Sequence, residues 1–183
     1  MITMRPSFRC FCLTLLFLLF APSFSEGQNV VVDENAFRII LAGEIVGREE
    51  FSIRRVGMGT DARVILRGSV ELDLPGGRRT LAPALEVTGA DLTPTAYQLK
   101  TSGTQEAEIF VSRSGRRFLA KSLSPQGEQV REFQAGPGSI LLDEFVAHQH
   151  HLLIPYLDYD SAVSLRVLSP QSGEQFGMTL RRV

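Results

Sequence analysis

The run Arg63-Val64-Ile65-Leu66-Arg67-Gly68-Ser69-Val70-Glu71-Leu72-Asp73-Leu74 constrains the fold more than any other stretch of the chain. Val64, Leu66, Val70, Leu72 and Leu74 alternate with mostly charged or polar residues. That period of two is the signature of a strand whose successive side chains point to opposite faces. It predicts a long strand of an antiparallel sheet, dry on one face and wet on the other. Gly68 interrupts the dry face without a side chain, which predicts a bulge or bend where the strand curls.

The rest of the chain carries short β-prone runs divided by turn residues. Residues 37–42 and 46–56 flank Gly43, and Gly57-Met58-Gly59-Thr60 leads into the long strand, which Pro75-Gly76-Gly77 ends. Further runs at 81–88, 97–101, 106–113, 116–123 and 129–134 are separated by Ser102-Gly103, Ser114-Gly115 and Pro125-Gln126-Gly127. Residues 161–168 and 176–183 close the chain around Pro170-Gln171-Ser172-Gly173. Regular strands with tight turns and no βα alternation predict a mainly β protein, its antiparallel sheet strongly curved or rolled into an unclosed barrel. The similar segments beginning at Ser124 and Ser169 read as one turn chemistry used twice rather than a duplication.

Residues 1–25 have the grammar of a signal peptide. Arg5 and Arg9 precede an apolar run from Cys10 to Phe20, too short to span a bilayer comfortably, and Ser23 and Ser25 suit a cleavage after Ser25. Cys10 and Cys12 stand at the start of that run rather than at its end, which argues against a lipid anchor. They are the chain's two cysteines, so cleavage would leave a single exported β domain, residues 26–183, without disulfide or thiolate. The expected location is periplasmic or secreted, with no membrane-spanning segment in the mature chain. Loss of Arg5 and Arg9 takes 19 Lys+Arg to 17 against 20 Asp+Glu, a formal charge of −3. With no basic run and no Trp, a nucleic-acid partner is not expected.

One segment departs from the strand pattern. After Ala135-Gly136-Pro137-Gly138-Ser139, residues 140–154 reach Pro155 with Phe145, Val146, Gln149, Leu152, Leu153 and Tyr156 on one side at helical spacing, and Asp143 placed to cap the start. This predicts one helix, about 140–154, lying against the concave face of the sheet. It holds all 3 histidines: His148 and His151 are neighbours on one flank, and His150 projects from the other side. Two imidazoles fall short of the three or four ligands of a mononuclear metal site, so His148 and His151 make a metal site only if Asp143, Asp158 or Asp160 joins them. The bland reading places them at the border of the core.

Other constellations are weaker. The Gly57–Ala62 stretch loosely matches a dinucleotide loop but lies between strands and opens no helix. Glu49 and Glu50 face opposite ways on a strand and read as an exposed face. Asp158-Tyr159-Asp160 lacks the remaining oxygen ligands of a calcium loop. No G-x-S-x-G elbow occurs. The Arg54-Arg55, Arg78-Arg79 and Arg116-Arg117 pairs read as solvated edges.

At Gly43-Glu44-Ile45-Val46-Gly47-Arg48-Glu49-Glu50-Phe51-Ser52-Ile53 the chain resembles the opening hairpin of a broad group of exported bacterial all-β proteins, with a V-G-x-E-x-F-x-I strand after a glycine-centred turn. Leu142-Asp143, His148 and Leu152-Leu153 resemble that group's late helical segment. The group is similar in fold to the half-barrel carriers and receptors of outer-membrane lipoproteins, where a sheet wraps an apolar cavity. The resemblance implies a binding module more readily than an enzyme, and no catalytic residue or cofactor. The leading expectation is a soluble exported protein binding a hydrophobic small molecule, acyl chain or envelope protein, with Phe145, His148, Leu152 and Tyr156 at the site. One alternative is a metal-binding protein or metal-dependent hydrolase using His148 and His151. Another is an assembly partner that pairs through the C-terminal strand, which the chain ends within at Leu180-Arg181-Arg182-Val183.

Overall fold

A computed structural model describes residues 29–157 and 161–181. The expected leader, Asp158, Asp160, Arg182 and Val183 lie outside the described residues.

Eight strands follow one another as a meander: β1 (Asn29–Leu41), β2 (Glu44–Val56), β3 (Arg63–Leu74), β4 (Gly77–Thr88), β5 (Pro94–Gly103), β6 (Ala107–Ser114), β7 (Arg117–Ser124) and β8 (Gly127–Gln134). Each pairs antiparallel with the next, and the order β1 to β8 leaves the sheet unclosed and half-barrel-like. A second sheet of three strands orders β11 (Glu174–Leu180), β10 (Val163–Ser169) and β9 (Ser139–Leu141), with β9 parallel to β10. The β1–β2 hairpin turns at Ala42 and Gly43, both at positive φ (51° and 88°), the twist-matched geometry of a two-residue hairpin.

The alternation of residues 63–74 does what its period requires. Val64, Leu66, Val70 and Leu72 are buried, and Arg63, Arg67, Ser69, Glu71 and Asp73 are exposed. Phe51 and Ile53 of β2, Leu81, Leu85 and Val87 of β4, Tyr97 and Leu99 of β5, Val111 of β6 and Phe118 of β7 extend the same dry face into one core. Each large apolar side chain fully removed from water there contributes about 1.5–3 kcal/mol.

Two readings of strand detail change. β1 begins at Asn29, eight residues before the expected start at Phe37. Asp33-Glu34-Asn35 is poor strand sequence by itself, and it is pairing with Phe51, Ser52 and Ile53 of β2 that extends it. Gly68 makes no bulge: the β2–β3 register runs unbroken through Phe51↔Gly68. A glycine is needed there because His148 packs against it.

The expected helix over 140–154 is resolved differently. Ile140 and Leu141 belong to β9, opposite Val167 and Leu168 of β10, and a 3-10 helix occupies Ala147–Tyr156. Phe145 takes φ 61°, which a right-handed helix cannot carry, so helical backbone starts only after it. Pro155 sits inside the last turn. The apolar side is kept: Val146 and Leu152 join the main core, while Leu153 and Tyr156 pack on the cluster of Ile140, Leu165 and Val167 under the small sheet. The 3-10 segment is thus a wedge between the two sheets.

Candidate functional site

Strand parity puts Glu49 on the same face as Phe51 and Ile53, so its carboxylate enters the core, correcting the reading of an exposed Glu49-Glu50 face. Glu50 remains exposed and pairs with Arg48 at 2.6 Å. Both oxygens of Glu49 are used by the 3-10 segment. Oε1 lies 2.6 Å from Nδ1 of His148, and Oε2 accepts the backbone N–H of Ala147 at 2.7 Å. With Glu49 as a carboxylate, this network assigns the hydrogen to Nδ1 of His148. Both side chains are 0% exposed. The imidazole stacks on Phe51, with ring centroids 5.9 Å apart and planes 8° apart, and Phe37 of β1 continues the stack 5.0 Å from Phe51.

Gly68 completes this arrangement. A Cβ there would lie 2.7 Å from Cε1 and 2.9 Å from Nδ1 of His148, and 3.3 Å from Oε1 of Glu49. The imidazole fills the space that a side chain on β3 would need, so the glycine is required by a close approach rather than by its backbone angle. Nε2 of His148 is buried without a hydrogen-bond partner among the described residues.

A second buried network fixes the entry to the 3-10 segment. Asp143, expected as a helix cap, instead accepts the Tyr97 hydroxyl at 2.6 Å, the Ser169 hydroxyl at 3.0 Å and the Gln171 backbone N–H at 2.8 Å. Its own N–H donates to Oε1 of Gln149 at 2.6 Å. Burial pushes the Asp143 carboxyl above its ordinary range, against the opposing effect of the three donors. Burial first, then the charge and hydrogen bond of Asp143, hold the Tyr97 phenol well above its ordinary value.

The expected site residues therefore sit in the seam between the sheets. His148 and Leu152 are buried, and Phe145 and Tyr156 half-buried. A carboxylate does reach His148 from a strand; His151, three residues further along the 3-10 segment, is half-buried, and His150 is exposed, its Nδ1 3.0 Å from the carbonyl of Ala147. Among the described residues no three His, Cys, Asp or Glu side chains gather where they could hold a metal ion. No described helix is long and apolar enough to cross a membrane.

Sequence reasoning passed over the opposite face of the sheet. Register aligns Ser52, Arg67, Ala84, Gln98, Phe110, Lys121 and Val130 in one cross-strand row, and Arg54, Ile65, Glu86, Ala96, Ser112, Leu119 and Glu132 in the next. Small Ala84 and Ala96 lie between larger Ile65, Phe110 and Leu119, forming an apolar dish of about 510 Å³ that Arg67, Lys121 and Glu86, the last held by Arg63, also line. The signal was available: Phe110 and Leu119 occupy the parity that should have been polar. Lys121 pairs with Glu128 at 2.9 Å, whereas Arg67 has no ion pair among the described residues.

Comparison with protein-family models, curated proteins and solved structures finds no match for the chain.

Proposed function

We propose that this chain is an exported binding protein, rather than an enzyme, and that its ligand is amphipathic: an acyl chain carrying an anionic head. The observation that carries this reading is the outer dish, which presents apolar side chains to solvent with an uncommitted guanidinium at its rim. Its size falls within the range of small-molecule sites. Binding among Phe145, His148, Leu152 and Tyr156 would require the 3-10 segment to lift from β3, whereas the dish is open. Export rests on the leader-like residues 1–25. The buried Glu49–His148 pair supports a binding role, since general acid–base work needs reach to a substrate and both groups are sealed.

Fluorescent fatty-acid displacement, with native mass spectrometry of delipidated protein, tests the proposal. Uptake is expected. Ala96→Trp, which fills the dish, should abolish it, and Arg67→Glu should weaken a carboxylate-headed ligand about tenfold or more, the loss of one charge-assisted contact. No uptake, or uptake that Ala96→Trp leaves unchanged, would overturn it.

A further inference from the structure

Among the described residues β1 is an edge of the large sheet, paired with β2 alone. Natural edges are usually guarded by lysine, proline or short length. β1 is 13 residues long and contains neither lysine nor proline; its guards are the charges of Asp33, Glu34 and Arg38 and two irregularities. Val30, Val31, Val32, Ile40 and Leu41 are between 48% and 62% exposed, and Ile45 just beyond the turn is 64% exposed. The backbone N–H of Ala36 bonds the side chain of Asn35 at 2.9 Å instead of β2, so the open edge includes the middle of the strand.

Glu34 and Arg38 on this edge are unpartnered among the described residues. Arg38 lies directly opposite Arg48 of β2, a like-charged pair, and Arg48 is already held by Glu50. Glu34 lies opposite Ser52. Neither Glu34 nor Arg38 has an ion pair among the described residues. Between its two irregularities, at Val31/Asp33 and Ile39/Ile40, the strand is regular, and Ala36 is the midpoint of that stretch. Antiparallel pairing of this strand with itself about Ala36 places Glu34 opposite Arg38 twice, once on each side of the axis. The apolar ends then meet: Val31 and Val32 of one copy face Leu41 and Ile40 of the other. The N–H and carbonyl of Ala36 would bond their counterparts, with the exposed Asn35 amide swinging aside.

We propose that two copies of this chain pair antiparallel through β1 about a two-fold axis at Ala36, setting Glu34 of each copy opposite Arg38 of the other and joining the two large sheets into one. The interface is isologous, as a two-fold dimer requires. It is independent of the ligand reading, because the dish lies on β3 to β7.

Sedimentation equilibrium on the purified chain at low salt tests this with a charge swap. The wild type should run at twice the chain mass. Glu34→Arg and Arg38→Glu each place like charges across both sides of the axis and should raise the dimer dissociation constant at least about tenfold. An equimolar mixture of the two variants should restore a heterodimer, and the double variant Glu34→Arg/Arg38→Glu should dimerise alone. Both positions are exposed, and circular dichroism confirms that each variant is folded. A monomeric wild type overturns the proposal, as does a dimer that the single reversals leave intact. Single variants that stay monomeric when mixed also overturn it, and so does a chain that is monomeric alone and pairs β1 only with a strand of another protein.

Discussion

Gly68→Ala measures how tightly the 3-10 segment is seated on the sheet. The added methyl would sit 2.7 Å from Cε1 and 2.9 Å from Nδ1 of His148, where carbon atoms prefer about 3.5–4.0 Å. The imidazole cannot readily yield, since Glu49 holds Nδ1 at 2.6 Å and Phe51 covers its face. Overpacking of this kind costs about 1–3 kcal/mol, and the reduced freedom of the unfolded chain returns only about 0.4–1 kcal/mol. A net loss of about 1–2 kcal/mol is expected, a fall in Tm of roughly 2–8 °C for a chain of this size. The chain has no tryptophan, so urea unfolding is followed by far-UV circular dichroism. The same substitution is then made in a Glu49→Gln/His148→Ala background, where no ring opposes the methyl and no charge is left unpaired. There it should be neutral within about 0.5 kcal/mol or stabilising. Equal losses in both backgrounds, or a Gly68→Ala protein as stable as wild type, would refute the idea that His148 dictates the glycine.

Two further outcomes follow from the buried networks. Glu49→Ala strips acceptors from His148 and from the Ala147 N–H and should cost about 1–3 kcal/mol for each buried donor left without a partner, whereas Glu50→Ala, one residue along on the wet face, should cost under about 0.5 kcal/mol in the same unfolding assay. The Tyr97 phenol is raised in the folded state, so its contribution is complete below the unfolded value of 10.0 and is lost as pH rises through the folded value. Wild type should therefore lose stability more steeply than Tyr97→Phe above pH 10.0, and parallel profiles would argue against it. The raised Asp143 carboxyl follows the same sign from 3.8 upward, so the stability of wild type relative to Asp143→Asn should be greatest at the acid end and decline as pH rises.

Much of the architecture was legible in local pattern, and particular residues show where legibility ended. Alternation at residues 63–74 announced β3 and its two faces, and the turn residues placed most of the meander. β1 was half hidden because Asp33-Glu34-Asn35 has no strand preference and is drawn in by β2. The helical spacing of residues 145–156 correctly marked an apolar side, but the positive φ at Phe145 and the pairing of Ile140 and Leu141 with β10 decided where helical backbone could begin. In the dish, an unusual parity of Phe110 and Leu119 was visible, but only register could show that Ala84 and Ala96 lie between them.

By itself, the sequence determined the mainly antiparallel fold and the dry and wet faces of its strands, because these follow from periodicity and composition within a few neighbouring residues. Only the tertiary structure decided that Glu49 is buried beside His148 and that Gly68 is vacant for the imidazole. Glu49 and His148 are 99 residues apart. No local pattern encodes such a contact; it arises when the sheet's dry face and the 3-10 wedge exclude water together, so that each polar group must find its partners inside the protein.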